Sequence, residues 1–195
     1  MDPILNKNLF LVKEHTGIFK AANNFDIFDP ADGKIIMQCR EPKLGGFTKM
    51  LRFTKYKRNT PFEIIISNME GKKVCTIKRG VSLWLSKVQV LDEDDKLIGT
   101  FKQKLLSLGG KFDIFDEDEN YVCSLKGKWT GWDFKFIKDD LIFASVSKKW
   151  AGIGKELFTT ADNYMISIGE SLPPDNDFRT LIIASVMCID MVLKE

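Results

Sequence analysis

Apolar and polar residues alternate in short runs along most of this chain. Five times the pattern reads strand, turn, strand, with a turn rich in Asp, Glu, Asn, Gly and Lys. The units begin at Phe25 (FDIFD-PADG-KIIMQC), Phe62 (FEIIIS-NMEG-KKVCTIK), Ser86 (SKVQVL-DEDD-KLIGTFK), Lys111 (KFDIFD-EDEN-YVCSLKG) and Trp132 (WDFKFI-KDD-LIFASVS). A first strand near 8–13 and a last near 163–168 bring the total to about twelve, over about residues 8–168. Trp132, Phe134 and Phe136 face one way and Asp133 and Lys135 the other; Tyr164, Ile166 and Ile168 likewise oppose Met165 and Ser167. Period-two alternation describes strands with one buried and one wet face. The pentapeptide FDIFD occurs at Phe25 and again at Phe112, which points to two related halves.

After Pro173-Pro174 the pattern changes. From Leu181 to Leu193 only Ser185 and Asp190 are polar, so a helix here is apolar on every face. A surface helix would carry a polar stripe. At about 1.5 Å per residue the run reaches roughly 20 Å, short of the roughly twenty apolar residues that a bilayer core requires. Such a segment, over about 177–193, belongs inside protein. An antiparallel sheet removes its edges by closing, and a barrel of about twelve strands is too wide for wall side chains alone to fill. The chain is therefore expected to be all-β with one buried helix: a single unit over residues 1–195, a closed antiparallel barrel around a C-terminal hydrophobic helix.

The repeated FDIF hairpins, the stretch KKWAGIGKELFTTADNYMISI (Lys148–Ile168) and the terminal CIDMVL resemble the phospholipid scramblase family, which is related to the Tubby C-terminal domain and to the LURP-one-related proteins. The specific parts are Trp150, Gly152 and Glu156, then Asp162-Asn163 before an aromatic, and Ile189-Asp190. The resemblance covers about Phe10 to Glu195. It implies a twelve-stranded barrel around a central helix, and an association with phospholipid movement or membrane phosphoinositide binding. Animal members carry a proline-rich N-terminal region and a cysteine cluster for lipid attachment, which this sequence does not show; its short lead into the first strand is expected of a microbial member. Their proposed calcium segment overlaps Thr160–Glu170 here. Asp162 and Asn163 match it, Thr160 replaces an acid, and Glu170 and Asp175 follow. Calcium prefers six to eight oxygen ligands, so Asp162, Asn163 and Glu170 form a sparse candidate set, and calcium is the one cofactor to consider.

Composition changes this picture little. The 29 basic and 27 acidic residues nearly cancel, so no global field points to nucleic acid. MDPILNKNLF lacks a signal-peptide layout and a Gly at position 2, consistent with a cytoplasmic chain, peripheral to the membrane if bound to it. Cys39, Cys75, Cys123 and Cys188 show no CxxC spacing and read as buried free thiols. The lone His15 has no nearby Ser or Cys in sequence, the glycine pairs lack a phosphate-loop context, and the acidic runs fall at turns where Asp belongs for backbone reasons. An enzyme is the minority reading.

Local charge says more. Between Lys43 and Pro61 lie Lys43, Lys49, Arg52, Lys55, Lys57 and Arg58 with no acid, interleaved with Phe47, Phe53 and Tyr56. Basic residues among aromatics suit anionic headgroups. Lys148 and Lys149 beside Trp150 form a second such group. Lys49, Arg52, Lys55, Lys57 and Arg58, with Lys148 and Lys149, are the candidate contacts to lipid phosphate. Asp190, an acid near the end of an apolar helix, is expected to anchor that helix to the wall. The competing function is a soluble signalling barrel of the LURP-one-related type that binds a small ligand or a protein partner.

Overall fold

The computed structural model describes residues 2–15, 22–42, 45–54, 59–82, 84–104, 112–128, 131–148 and 163–193. Twelve antiparallel strands close into a barrel in which each strand pairs with its sequence neighbours and the first pairs with the last. They are β1 (Leu9–Glu14), β2 (Phe25–Phe28), β3 (Ile35–Arg40), β4 (Phe62–Asn68), β5 (Lys73–Arg79) and β6 (Lys87–Leu91), followed by β7 (Leu97–Gln103), β8 (Phe112–Phe115), β9 (Tyr121–Lys128), β10 (Asp133–Lys138), β11 (Leu141–Ser147) and β12 (Asn163–Ile168). A short helix, α1 (Gly46–Leu51), lies between β3 and β4, and α2 (Phe178–Leu193) follows β12.

α2 fills the lumen. Every residue from Arg179 to Val192 is buried, so the all-round apolarity of this segment matches a surrounding of strand interiors. The helix packs on β12, β5, β6 and β7. Leu181 presses on Gly99 of β7, where an added Cβ would stand 2.8 Å from a Leu181 methyl and 2.7 Å from the Phe115 carbonyl oxygen. Phe178 receives Phe136 and Phe143 edge-on, with ring centroids 5.8 and 6.0 Å away. No helix among the described residues is long and apolar enough to cross a membrane.

A ring of up-and-down strands sorts its connections. The hairpin turns after β2, β4, β6, β8 and β10 all fall at one end, here the turn end, together with the segment that enters α2. The segments joining β1 to β2, β3 to β4, β5 to β6, β7 to β8, β9 to β10 and β11 to β12 fall at the other, the connection end. The five turns share one chemistry. Each pair of strands slips register beside its turn. Each turn also carries residues with positive φ: Gly33, Gly71, Asp95, Glu119, and Asp139 with Asp140. In three turns a leading Asx oxygen accepts backbone N–H groups two and four residues on: Asn68 from Glu70 and Lys72, Asp92 from Asp94 and Lys96, Asp116 from Asp118 and Asn120. These acids thus satisfy backbone donors.

The repeated FDIF segments occupy equivalent strands, β2 and β8, six apart around the ring. In both, the Phe and Ile that lead each pair are fully buried. Asp26 stands across from Lys13 and Asp113 across from Lys102. Each of those lysines places its ammonium over the outward Phe of its repeat, 4.7 Å from the Phe28 centroid and 4.1 Å from that of Phe115. The two halves inferred from sequence share this surface motif. One detail differs from the alternation expected for β12: Met165, set opposite Tyr164 and Ile166, is buried too.

Candidate functional site: the connection end of the barrel

With the lumen occupied by α2, chemistry is confined to the two ends and the outer wall. At the turn end the loops read DPADGK, NMEGK, DEDDK and DEDEN, with Asp139 and Asp140 in the last hairpin and Glu170, Asp175 and Asp177 before α2. Fewer basic residues accompany them among the described ones: Lys7, Lys34, Lys72, Lys73, Lys96, Lys138 and the buried Arg179. At the connection end the balance reverses: Arg40, Lys49, Lys78, Arg79, Lys104 and Lys148 lie in or beside the connections, against fewer acids, of which Asp26 pairs with Arg40 and Asp113 with Lys104.

Burial separates these cations by type. Among the described residues the buried basic side chains are all arginines: Arg52, Arg79 and Arg179. This agrees with the planar, multiply donating guanidinium being the cation best suited to a dry site. Arg52 follows α1 and had been grouped by sequence with the exposed basic cluster. The structure corrects this: its side chain is 1 % exposed and its guanidinium grips Glu41, itself 0 % exposed. One nitrogen reaches Glu41 Oε1 at 2.6 Å and Pro61 O at 2.9 Å, the other Glu41 Oε2. Asn23 donates to the same carboxylate through its backbone and side chain. Arg52 therefore braces the β1–β2 and β3–β4 connections and is unavailable to lipid. Arg79, at the end of β5, points inward over the Phe62 ring (4.9 Å) and donates to Thr60 O (2.6 Å) and Ser86 Oγ (3.0 Å). Burial draws its pKa down to about 10, with Cys188 opposing and Arg52 adding to the fall; it stays charged at neutral pH. His15, a loop histidine by sequence, meets Asp26 at 2.7 Å, and Arg40 reaches the other oxygen at 2.6 Å. Burial alone would raise the Asp26 pKa, but the hydrogen bonds from Arg40 and His15 outweigh it and hold it below the usual carboxylate value.

The remaining candidates scatter. Lys49 is exposed on α1. Lys148 holds its ammonium 4.6 Å above Trp132 and 5.0 Å from Tyr164, rings that stack with centroids 4.6 Å apart. Lys55, Lys57, Arg58, Lys149 and Asp162 lie outside the described residues. Asn163 is buried at the connection end of β12, whereas Glu170 is exposed beyond its other end. At about 3.3 Å per residue that separation is roughly 20 Å, so Asn163 and Glu170 cannot share one calcium ion. Among the described residues no group of His, Cys, Asp or Glu is arranged to hold a metal. Asp190 is buried and accepts the Tyr164 hydroxyl at 2.7 Å, which ties the end of α2 to β12 beneath the Trp132–Lys148 stack.

On the outer wall of this end, two adjoining recesses of about 350 and 290 Å³ share Arg79, Gly80 and Gln89. The larger lies beside Thr48 of α1 and Lys78, the smaller beside Lys87 and the loop from Gly80 to Leu85. Glu63 also lines the larger.

Comparison with known proteins places this geometry. The sequence model of the Scramblase family matches residues 6–195. The chain belongs to the scramblase family. It is 23% identical over 198 residues to the Altered inheritance rate of mitochondria protein 25 of Saccharomyces cerevisiae, covering 88% of this chain and 60% of the yeast protein. It is 24% identical over 153 residues to Phospholipid scramblase 2 of Homo sapiens, covering 71% of this chain and 51% of that protein. The chain thus matches between half and two thirds of the length of these curated relatives. A crystallographically solved protein of Arabidopsis thaliana superposes with a TM-score of 0.53 at 16% identity, over 97% of this chain and 95% of the other. At that identity the likeness shows the shared Tubby-like barrel fold alone.

Two features of this scramblase-family barrel were missed from sequence. One is Arg179, at the start of α2, whose guanidinium donates to Leu5 O (2.7 Å), Leu172 O (3.0 Å), Lys7 O (2.6 Å) and Asn8 Oδ1 (2.7 Å). It clamps the helix to the N-terminal segment at the turn end. The other is the loop between β5 and β6, where Val81 and Trp84 are 71 % and 88 % exposed. The signal for it is the run GVSLWLS just after Lys78-Arg79, with Val, Leu, Trp and Leu between two hairpin units.

Proposed function

We propose that this protein is a phospholipid-binding member of the scramblase family that sits peripherally on anionic membranes with its connection end against the headgroups. One observation carries the reading: the acidic turns and the basic connections are segregated to opposite ends of a closed barrel. An anionic surface attracts one end and repels the other, so the barrel binds upright. Each Lys near such a surface contributes about 1 kcal/mol. Lys49 and Lys78 line or flank the recesses beside Arg79, which are large enough for a headgroup; Lys87, at the edge of the smaller, is paired with Glu119 at 3.1 Å. The family match and the human relative's name favour phospholipid over another anion. The reading is one of binding: α2 fills the lumen, so the barrel interior supplies no path for a headgroup.

The test is vesicle flotation with phosphatidylcholine alone and with added phosphatidylserine. Binding is expected only to the anionic vesicles, and it weakens as salt shortens the Debye length. Lys49→Glu with Lys78→Glu lowers binding, while Asp94→Lys with Glu117→Lys at the turn end does not. Equal flotation with neutral and anionic vesicles, or binding indifferent to the Lys49 and Lys78 reversals, favours the soluble small-ligand or protein-binding barrel instead.

A further inference from the structure

The connection end presents apolar side chains that its charge does not explain. In the loop between β5 and β6, Val81 is 71 %, Trp84 88 % and Leu85 44 % exposed; at α1, Met50 is 60 % and Phe53 57 % exposed. Exposing a large aromatic leaves most of its apolar surface in water, and monomeric proteins rarely gather several such residues in one patch without use. The β5–β6 loop is also held firmly. Asn59 Nδ2 donates to Ser82 O at 2.6 Å, Ser82 N returns to Asn59 O at 3.2 Å, and Ser82 Oγ donates to Leu85 O at 2.9 Å. At its far end Ser86 and Gln103 exchange hydrogen bonds of 3.1 and 2.9 Å. Asn59 belongs to the connection that contains α1, so the two apolar tips are tied to one frame. Trp84 is thus displayed on a braced loop beside cations.

We propose that these two tips, carrying Val81, Trp84 and Leu85 on one and Met50 and Phe53 on the other, enter the interfacial layer of an anionic phospholipid bilayer and anchor the barrel there. The inference rests on the phospholipid reading above and adds depth and orientation to it. Trp favours the level where one side of a ring is apolar and the other wet, and Lys49, exposed on α1 beside Met50, is placed to meet phosphates. The turn end also exposes Met69, Leu141 and Ile142 at 53 %, 51 % and 48 %. There Glu70, Asp139 and Asp140 are their neighbours in the turns, and an anionic surface repels them. Charge therefore selects which apolar tips meet the lipid.

Tryptophan fluorescence on phosphatidylcholine–phosphatidylserine vesicles with brominated acyl chains tests this directly. The parent is expected to show quenching on binding, and Trp84→Phe to lose the part that Trp84 supplies. Trp84→Ser with Phe53→Ser should weaken vesicle partition by about tenfold or more, the scale of removing two large side chains from an apolar layer. Its thermal midpoint stays with the parent because both positions are exposed. Its residual binding keeps the parent's salt dependence, since the lysines remain. Flotation with anionic vesicles, but no quenching of Trp84 and no loss in the serine variant, overturns insertion and leaves electrostatic binding standing. No flotation at all overturns both. A dimer in solution that Trp84→Ser dissociates assigns the tips to a second copy and overturns their role in lipid.

Discussion

Gly99→Ala is the most searching test of the seated helix, because opposing effects at that position can be weighed. Gly99 lies in β7 without the positive φ that would demand glycine. Alanine would lower the entropy of the unfolded chain and stabilise by about 0.4–1 kcal/mol were there room. There is none: the new Cβ would stand 2.7 Å from Phe115 O and 2.8 and 3.0 Å from the two methyls of Leu181. Leu181 can turn aside, but the Phe115 oxygen is backbone in the neighbouring strand. Overpacking of this kind costs about 1–3 kcal/mol, so the clash wins and a net loss of about 1–2 kcal/mol is expected. For a chain of this size that lowers the thermal midpoint by about 3–6 °C. Leu181→Ala alone, which opens a cavity, should cost about 2–5 kcal/mol. In the double variant the added methyl occupies space that Leu181 vacates, so the double loss should fall short of the sum by about 0.5 kcal/mol or more. Urea unfolding of the four proteins measures this coupling. Strict additivity would refute the packing of α2 against β7, and a Gly99→Ala protein as stable as the parent would refute the close approach of the Phe115 carbonyl.

Two further outcomes follow from the buried groups. All four thiols are buried, and burial raises Cys75 and Cys123 to about 12 and lifts Cys39 and Cys188 as well. Native protein should resist a thiolate-selective reagent and react fully once unfolded. Because the folded pKa values lie above the unfolded value of 9.0, the unfolded chain ionises first. Stability is complete below that pH and falls as pH climbs from about 9 toward about 12; rapid labelling of native protein at neutral pH would contradict the burial. Tyr164→Phe keeps the ring on Trp132 but deletes the 2.7 Å hydrogen bond to Asp190. A loss of about 1–3 kcal/mol in urea unfolding is expected, and an unchanged midpoint would show that this hydroxyl does not hold the helix end.

The barrel and its plug were legible because each rests on a periodic signal. Trp132, Phe134 and Phe136 against Asp133 and Lys135 announce a strand with one buried side, and thirteen residues without a polar stripe announce a helix with no wet side. Turn chemistry was equally plain, since Asp92 and Asp116 lead turns whose backbone needs an oxygen at that place. What sequence could not supply was pairing over distance. Arg52 counts as one more surface cation until Glu41, eleven residues earlier, is brought against it across a loop. Arg179 looks like an ordinary first-turn residue, yet its carbonyl acceptors include Leu5, 174 positions away. Trp84 carries no periodic signal of its own, and its exposure at 88 % follows from where the β5–β6 loop stands on the closed ring. Asn163 and Glu170 are near in sequence, but an extended strand carries them to opposite ends.

The charge polarity has two origins, and only one of them speaks of function. In an up-and-down ring alternate connections share an end; here the five tight hairpins all follow even-numbered strands and so fall together, and tight hairpins ask for Asp, Asn and Gly. Five similar turns therefore make one end acidic without any selection for a partner. No such backbone rule operates at the connection end. Nothing in loop closure asks for Lys49 on an exposed helix, for Lys78 on the outer wall, or for Trp84 at 88 % exposure. Arg52 and Arg79 there are spent on the frame, holding Glu41, Thr60 and Ser86 so that the connections keep their shape. The exposed lysines and apolar tips are what that frame displays. On the proposed reading, this cationic and aromatic surface is the one that would face an anionic bilayer, and the acidic turns at the far end would keep the barrel one way round.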